Sequence, residues 1–93
     1  MSATVKITQQ GPCGHLEYHE AGEVCRCYWE FGGGTVIAII SLPPAEQWDQ
    51  RYPWARGRRQ EVLSFLIDEA CRQRAPGALV EWDEARNAVY LKN

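Results

Sequence analysis

Side chains that could bind a metal ion are concentrated in the first third of the chain. Cysteine and histidine occur at Cys13, His15, Cys25 and Cys27, and structural zinc sites are built from four such ligands. The spacing differs from the usual C-x₂-C pair, however, and the hairpin predicted below directs His15 to the face opposite Cys25 and Cys27. We therefore interpret the two cysteines as small core residues and predict neither a metal ion nor another cofactor.

A row of acid–base side chains occupies the same region. His15, Glu17 and His19 alternate along a predicted strand and therefore share one face. A histidine beside a carboxylate can act as a general acid or base, so a small-ligand-binding or enzymatic domain that uses this face is one alternative. The same alternation is typical of a solvated strand, and the sequence supplies no nucleophile or oxyanion site beside it. The glycines at positions 32–34 lack the lysine and the following helix of a phosphate loop. We predict no catalytic residues.

Residues 48–59, called the aromatic–arginine segment below, combine two tryptophans and one tyrosine with four arginines. These residue types are enriched at binding hot spots, and arginines among aromatic rings also suit phosphate or single-stranded nucleic acid. Arg56, Arg58 and Arg59 crowd the predicted start of the main helix, where cations are unfavourable. Local conflicts of this kind are expected at functional sites. We predict a contact surface that consists of Trp48, Arg51, Trp54, Arg56, Arg58 and Arg59.

The competing interpretation of this segment is structural. Both tryptophans would cap the core, and the arginines would pair with acidic residues of the same chain, such as Glu46, Asp49 or the turn around Glu84. A nucleic-acid or phosphate site formed by Arg51, Arg56, Arg58 and Arg59 is a further alternative.

The element that positions these groups is predicted at residues 35–40. This run is apolar at consecutive positions, and glycines precede it while prolines follow it. The pattern favours a central strand that is covered on both faces. Upstream, a hairpin about Ala21-Gly22 should pair Tyr18 with Cys25 and Leu16 with Cys27, which places the apolar side chains together on one face.

Helical periodicity appears only in the second half of the chain. The apolar residues Val62, Leu63, Leu66, Ile67 and Ala70 form one stripe and predict a helix over residues 58–74. The complete order is ββββ-α-ββ. We predict a single α+β domain over residues 1–93, with two layers, a mostly antiparallel sheet and one main helix packed on one face.

Composition restricts the function further. The chain has 93 residues and a net charge of −2, so nucleic acid is disfavoured as a partner. Nucleic-acid binding by the arginine cluster nevertheless stays an alternative. Since no signal sequence or membrane span is predicted, we expect a cytoplasmic protein with reduced cysteines and no membrane partner.

The leading hypothesis is a small cytoplasmic protein-binding domain of an inhibitor, immunity or regulatory type. It would act on an unknown protein partner through the aromatic–arginine surface and would not be an enzyme. A homodimer is also predicted, because one helix covers only one face of a strand that is apolar on both.

Overall fold

The computed structural model describes residues 3–93. The strands are β1 (Ala3–Gln10), β2 (Cys13–Glu20), β3 (Glu23–Phe31), β4 (Val36–Ser41), β5 (Leu79–Asp83) and β6 (Ala88–Lys92). The helices are α1 (Ala45–Arg51) and α2 (Arg59–Arg74), with 3-10 turns at Pro53–Ala55 and Glu84–Arg86. One sheet forms in the order β1-β2-β3-β4-β6-β5, and each neighbouring pair is antiparallel. The predicted α+β architecture, ββββ-α-ββ with one main helix, is confirmed.

The β2–β3 hairpin has the predicted register. Tyr18 lies opposite Cys25, and Leu16 lies opposite Cys27. Ala21 and Gly22 both have positive φ, at 51° and 83°, as the tight hairpin turn that matches the strand twist requires. All four paired side chains are buried, so the hairpin directs one clean apolar face toward the helices.

Helix α2 begins one residue later than predicted and ends at the predicted residue. Its apolar stripe is buried against the sheet, with Val62, Leu63, Leu66 and Ile67 at most 1% exposed. Gly77, with φ at 87°, follows the end of the helix and turns the chain toward β5.

Strand β4 is central, since it lies between β3 and β6, but the prediction that it is covered on both faces is wrong. A β-bulge between Val36 and Ala38 shifts its register. Because of this bulge, Ile37 packs against the same core as Ala38 instead of pointing to the other face. On the outer face Ile39 has Glu30 and Tyr90 as neighbours and remains half-buried. The structure thus accommodates the consecutive apolar residues by a bulge at Ile37 and by leaving Ile39 partly exposed on the outer face.

Candidate binding site

Trp48, the first residue of the predicted contact surface, lies in the core. Its side chain is 1% exposed, and its indole N–H donates to the carbonyl of Ala55 at 2.8 Å. This bond joins α1 to the following 3-10 turn and satisfies the one polar atom of the ring. Trp48 therefore stabilises the aromatic–arginine segment from inside and does not contribute to the surface.

The other two aromatic residues of the segment are half-buried. Trp54 stacks on Tyr18 with ring centroids 6.2 Å apart, and Tyr52 lies 4.7 Å from the ring of Trp48. Both rings are therefore packed against the core on one side and retain some contact with solvent on the other.

Arg58 forms the strongest polar contact of the segment. Its guanidinium donates to both carboxylate oxygens of Glu20 at 3.0 and 2.8 Å and to Glu61 at 2.7 Å. The hydroxyl of Tyr18 also donates to Glu20, at 2.5 Å. Arg58 first, and Tyr18 second, lower the pKa of Glu20 to about 2. The cation at the start of α2 is thus neutralised by a carboxylate from β2 that lies 38 positions away in the sequence.

Arg59 is also bound within the chain. It donates to the carbonyl of Pro43 at 3.0 Å and to Glu84 at 3.1 Å, and its side chain is 13% exposed. Glu84 is one of the acidic residues that the competing interpretation named as a partner of the arginines. Arg51 and Arg56 are exposed, and neither takes part in a salt bridge among residues 3–93. Of the six predicted contact residues, Arg51, Trp54 and Arg56 thus remain accessible.

An apolar groove, which sequence reasoning missed, lies on the inner face of the sheet beside the C-terminal end of α2. Its volume is about 260 Å³. The apolar residues that the end of α2 and its C-cap place at this part of the sheet are the small Ala70 and Ala75, so the two layers do not close. The other apolar side chains that line it are Ile7, Leu16, Trp29, Phe31, Ile37, Ala38, Ile40 and Leu91.

Two aromatic residues of β3 shape this groove. Trp29 is 6% exposed, whereas Phe31 is 52% exposed at the rim, and their rings meet edge to face at 5.1 Å. The indole N–H of Trp29 donates to the carbonyl of Thr8 at 3.0 Å. Gly14 lies opposite Trp29, and a side chain at this position would come within 1.9 Å of the Thr8 oxygen. Glycine therefore allows β1 to approach closely enough for Trp29 to be fixed by this bond.

The polar part of the groove is small. Gln9 and Arg74 are its only polar lining residues in the described part of the chain. Arg74 is exposed in the last turn of α2 and forms no salt bridge with any residue from 3 to 93. The rim therefore carries one positive charge beside an apolar surface.

The histidine–glutamate row on the outer face forms a hydrogen-bond network with Arg26. Glu17 accepts hydrogen bonds from His19 at 3.1 Å and from Arg26 at 3.0 Å. These contacts, that with His19 first, lower the pKa of Glu17. His15 packs edge to face against Tyr28 with ring centroids 6.0 Å apart. Glu17 and His19 do not line the apolar groove or the concavity between β3 and the end of β4, although His15 lines the latter.

The four cysteines are free thiols. Cys25 and Cys27 are buried on the inner face, whereas His15 pairs with Tyr28 on the outer face, as the hairpin register predicts. Between residues 3 and 93, no three side chains of histidine, cysteine, aspartate or glutamate come together as metal ligands.

Comparison with known proteins identifies no relative of the chain. No family model matches the sequence, and no curated protein or solved structure is significantly similar to the chain. Of the helices that residues 3–93 form, neither α1 nor α2 combines the length and the apolar character needed to cross a membrane.

Proposed function

We propose that this chain is a non-enzymatic protein-binding domain that accepts one apolar side chain of a protein partner in the groove. The observation that supports the proposal is the open apolar groove of about 260 Å³, with Phe31 52% exposed at its rim. A large exposed aromatic ring next to an unfilled apolar surface is typical of an interaction site. The class of function is the one predicted from the sequence, and we keep the cytoplasm as the expected location because all four cysteines are free thiols.

The size of the groove supports a side chain as the occupant. An apolar cavity of about 150 Å³ holds one benzene ring, so the groove has room for roughly ten carbon atoms on the same scale. This is the size of one aromatic or long aliphatic side chain, and it is smaller than the pockets of about 300–1,000 Å³ that enclose most small ligands. A partner would gain most of its affinity from one such anchor, as at other protein interfaces.

Charge restricts the partner further. Arg74 is the one charged residue that lines the groove in the described part of the chain. A basic residue next to the anchor would be repelled, whereas an aspartate, a glutamate or a terminal carboxylate would be attracted. We therefore propose a partner segment in which an apolar residue is followed or preceded by an acidic one.

The proposed surface replaces most of the one predicted from the sequence. Trp48 is buried, and Arg58 and Arg59 are held by Glu20 and Glu84. These residues stabilise the fold, so we do not assign them to the contact. Trp54, Arg51 and Arg56 are accessible but do not line the groove.

Selection from a displayed random peptide library tests the proposal. Ala75→Leu places three additional carbons in the groove, whereas Ala85→Leu adds the same carbons to an exposed 3-10 turn. Peptides selected on the wild-type protein should share a large apolar residue. They should bind Ala75→Leu at least about tenfold more weakly, because roughly 1.4 kcal/mol of anchor burial is lost, and they should bind Ala85→Leu as tightly as the wild type. The proposal fails if no peptide is enriched or if the enriched peptides bind both variants equally.

A further inference from the structure

A second concavity lies where β3 and β4 separate. The pairing of these strands ends at Tyr28 and Ser41. The next residue, Leu42, donates its N–H to the carbonyl of Asn87 at 2.8 Å, so the chain turns away from β3 toward β6. The result is a wedge-shaped cleft of about 420 Å³ between β3, the end of β4 and the end of α1.

The lining of this cleft is rich in hydrogen-bond donors. It includes Arg26, Arg51, His15 and Ser41, together with the aromatic residues Tyr28 and Tyr52. No aspartate or glutamate is among the described residues that line it. Guanidinium groups together with hydroxyls match the geometry and charge of a phosphate group.

Both arginines retain donors for a ligand. Arg51 lies 5.8 Å from the centroid of the Tyr52 ring, which orients it without using its N–H groups. Arg26 is 58% exposed; Glu17 accepts a hydrogen bond from its Nε at 3.0 Å, and the Nη2 lies 2.9 Å from the same carboxylate as an ion pair. Because a guanidinium has five N–H groups, about three of them remain free on Arg26.

The edge of β3 adds backbone donors to the cleft. Residues 24–27 of β3 have no strand partner on the β4 side among residues 3–93. Every second residue of a strand directs its N–H and C=O toward the same neighbour, so part of this backbone faces the wedge.

We propose that this cleft binds a phosphate monoester that carries a planar ring. The phosphate would lie between Arg26 and Arg51. The ring would lie against Tyr28, which is 41% exposed and packs edge to face on His15. On the scale of about 150 Å³ for one benzene ring, the cleft has room for a phosphate and a ring together. This site is independent of the groove, since the two share no lining residue.

Titration of the ¹⁵N-labelled protein at constant ionic strength tests the site. Phenyl phosphate should produce saturable shifts at the amides of Tyr28 and Ser41, and it should bind more tightly than inorganic phosphate, while phenol alone should produce none. The affinities of adenosine 5′-monophosphate and O-phospho-L-tyrosine then show whether a nucleotide or a phosphorylated tyrosine is the preferred monoester. Absence of saturable shifts with phenyl phosphate, or shifts that map elsewhere, would overturn the proposal.

Charge-matched variants separate local binding from the general effect of net charge. Arg51→Gln and Arg26→Gln should each weaken phenyl phosphate binding about two- to fivefold, as expected for exposed ion pairs, and the double variant should weaken it by about tenfold or more. Arg56→Gln removes the same charge from an exposed residue outside the cleft and should leave the affinity within about twofold of the wild type. All these side chains are exposed, so each variant should keep the dispersed spectrum of the folded protein. Equal losses in Arg51→Gln and Arg56→Gln would contradict the assigned site.

Discussion

Filling the groove should make the protein more stable. Leucine at position 75 adds three carbons, and each buried CH₂ contributes about 0.8 kcal/mol, which gives about 2.4 kcal/mol for complete burial. Ala75 is half-buried beside a groove that is open to solvent, so about half of this value, roughly 1 kcal/mol, is expected. For a domain of this size the gain corresponds to an increase in Tm of about 4–8 °C.

Chemical and thermal denaturation of Ala75→Leu, with Ala85→Leu as the control, measure this effect. The control adds the same carbons to an exposed residue and should change the free energy of unfolding by less than about 0.5 kcal/mol. A loss of about 1 kcal/mol or more in Ala75→Leu would have the opposite meaning. It would indicate an overpacked site, and the reasoning that α2 and the sheet leave usable space there would be refuted.

Three other predictions concern the fold and its assembly. Leu66→Ala should cost about 2–5 kcal/mol of unfolding free energy, because Leu66 is 0% exposed and its removal leaves a cavity; a cost within error would contradict the packing of α2. The pKa of Glu20 is lowered from 4.5 to about 2, so the contribution of its carboxylate to stability is complete above pH 4.5 and is lost as the pH falls toward 2. Glu20→Gln should therefore flatten the dependence of Tm on pH between these values. An unchanged slope would contradict the assigned role of the Arg58 contact. The homodimer was predicted from a strand that is apolar on both faces, and the bulge at Ile37 removes that reason. Sedimentation at micromolar concentration decides, because a constant mass of 10.6 kDa at all concentrations would exclude the dimer.

The parts of the fold that were predictable from the sequence depend on local patterns. The register of the β2–β3 hairpin followed from the alternation around Ala21-Gly22, because a shift by one residue would have placed Arg26 in the core. The bounds of α2 followed from an apolar stripe with helical spacing and from the stop at Pro76-Gly77. Both signals lie within one element or one turn, where sequence distance and spatial distance agree.

The parts that were missed depend on contacts between distant segments. The bulge at Ile37 cannot be distinguished from a strand that is buried on both faces by counting apolar residues. The unfavourable cations at the start of α2 were visible in the sequence. The carboxylate that neutralises Arg58 was not, because Glu20 lies 38 positions away. The groove combines side chains from β1, β2, β3, β4, β6 and the end of α2. Its main cause is the small size of Ala70 and of Ala75 at the C-cap, and alanine is ordinary at the end of a helix.

The most direct test of the central claim is the location of a bound apolar probe by intermolecular NOEs. N-acetyl-L-tryptophanamide is a suitable probe, since about 0.3 kcal/mol per non-hydrogen atom predicts a Kd in the millimolar range or below. If the groove is the binding site, the indole protons should give NOEs to the methyl groups of Ile7, Ile37 and Leu91, and Ala75→Leu should abolish these NOEs. NOEs confined to Leu79 and Val80 on the exposed part of β5, or no NOEs at roughly 10 mM probe, would contradict the claim.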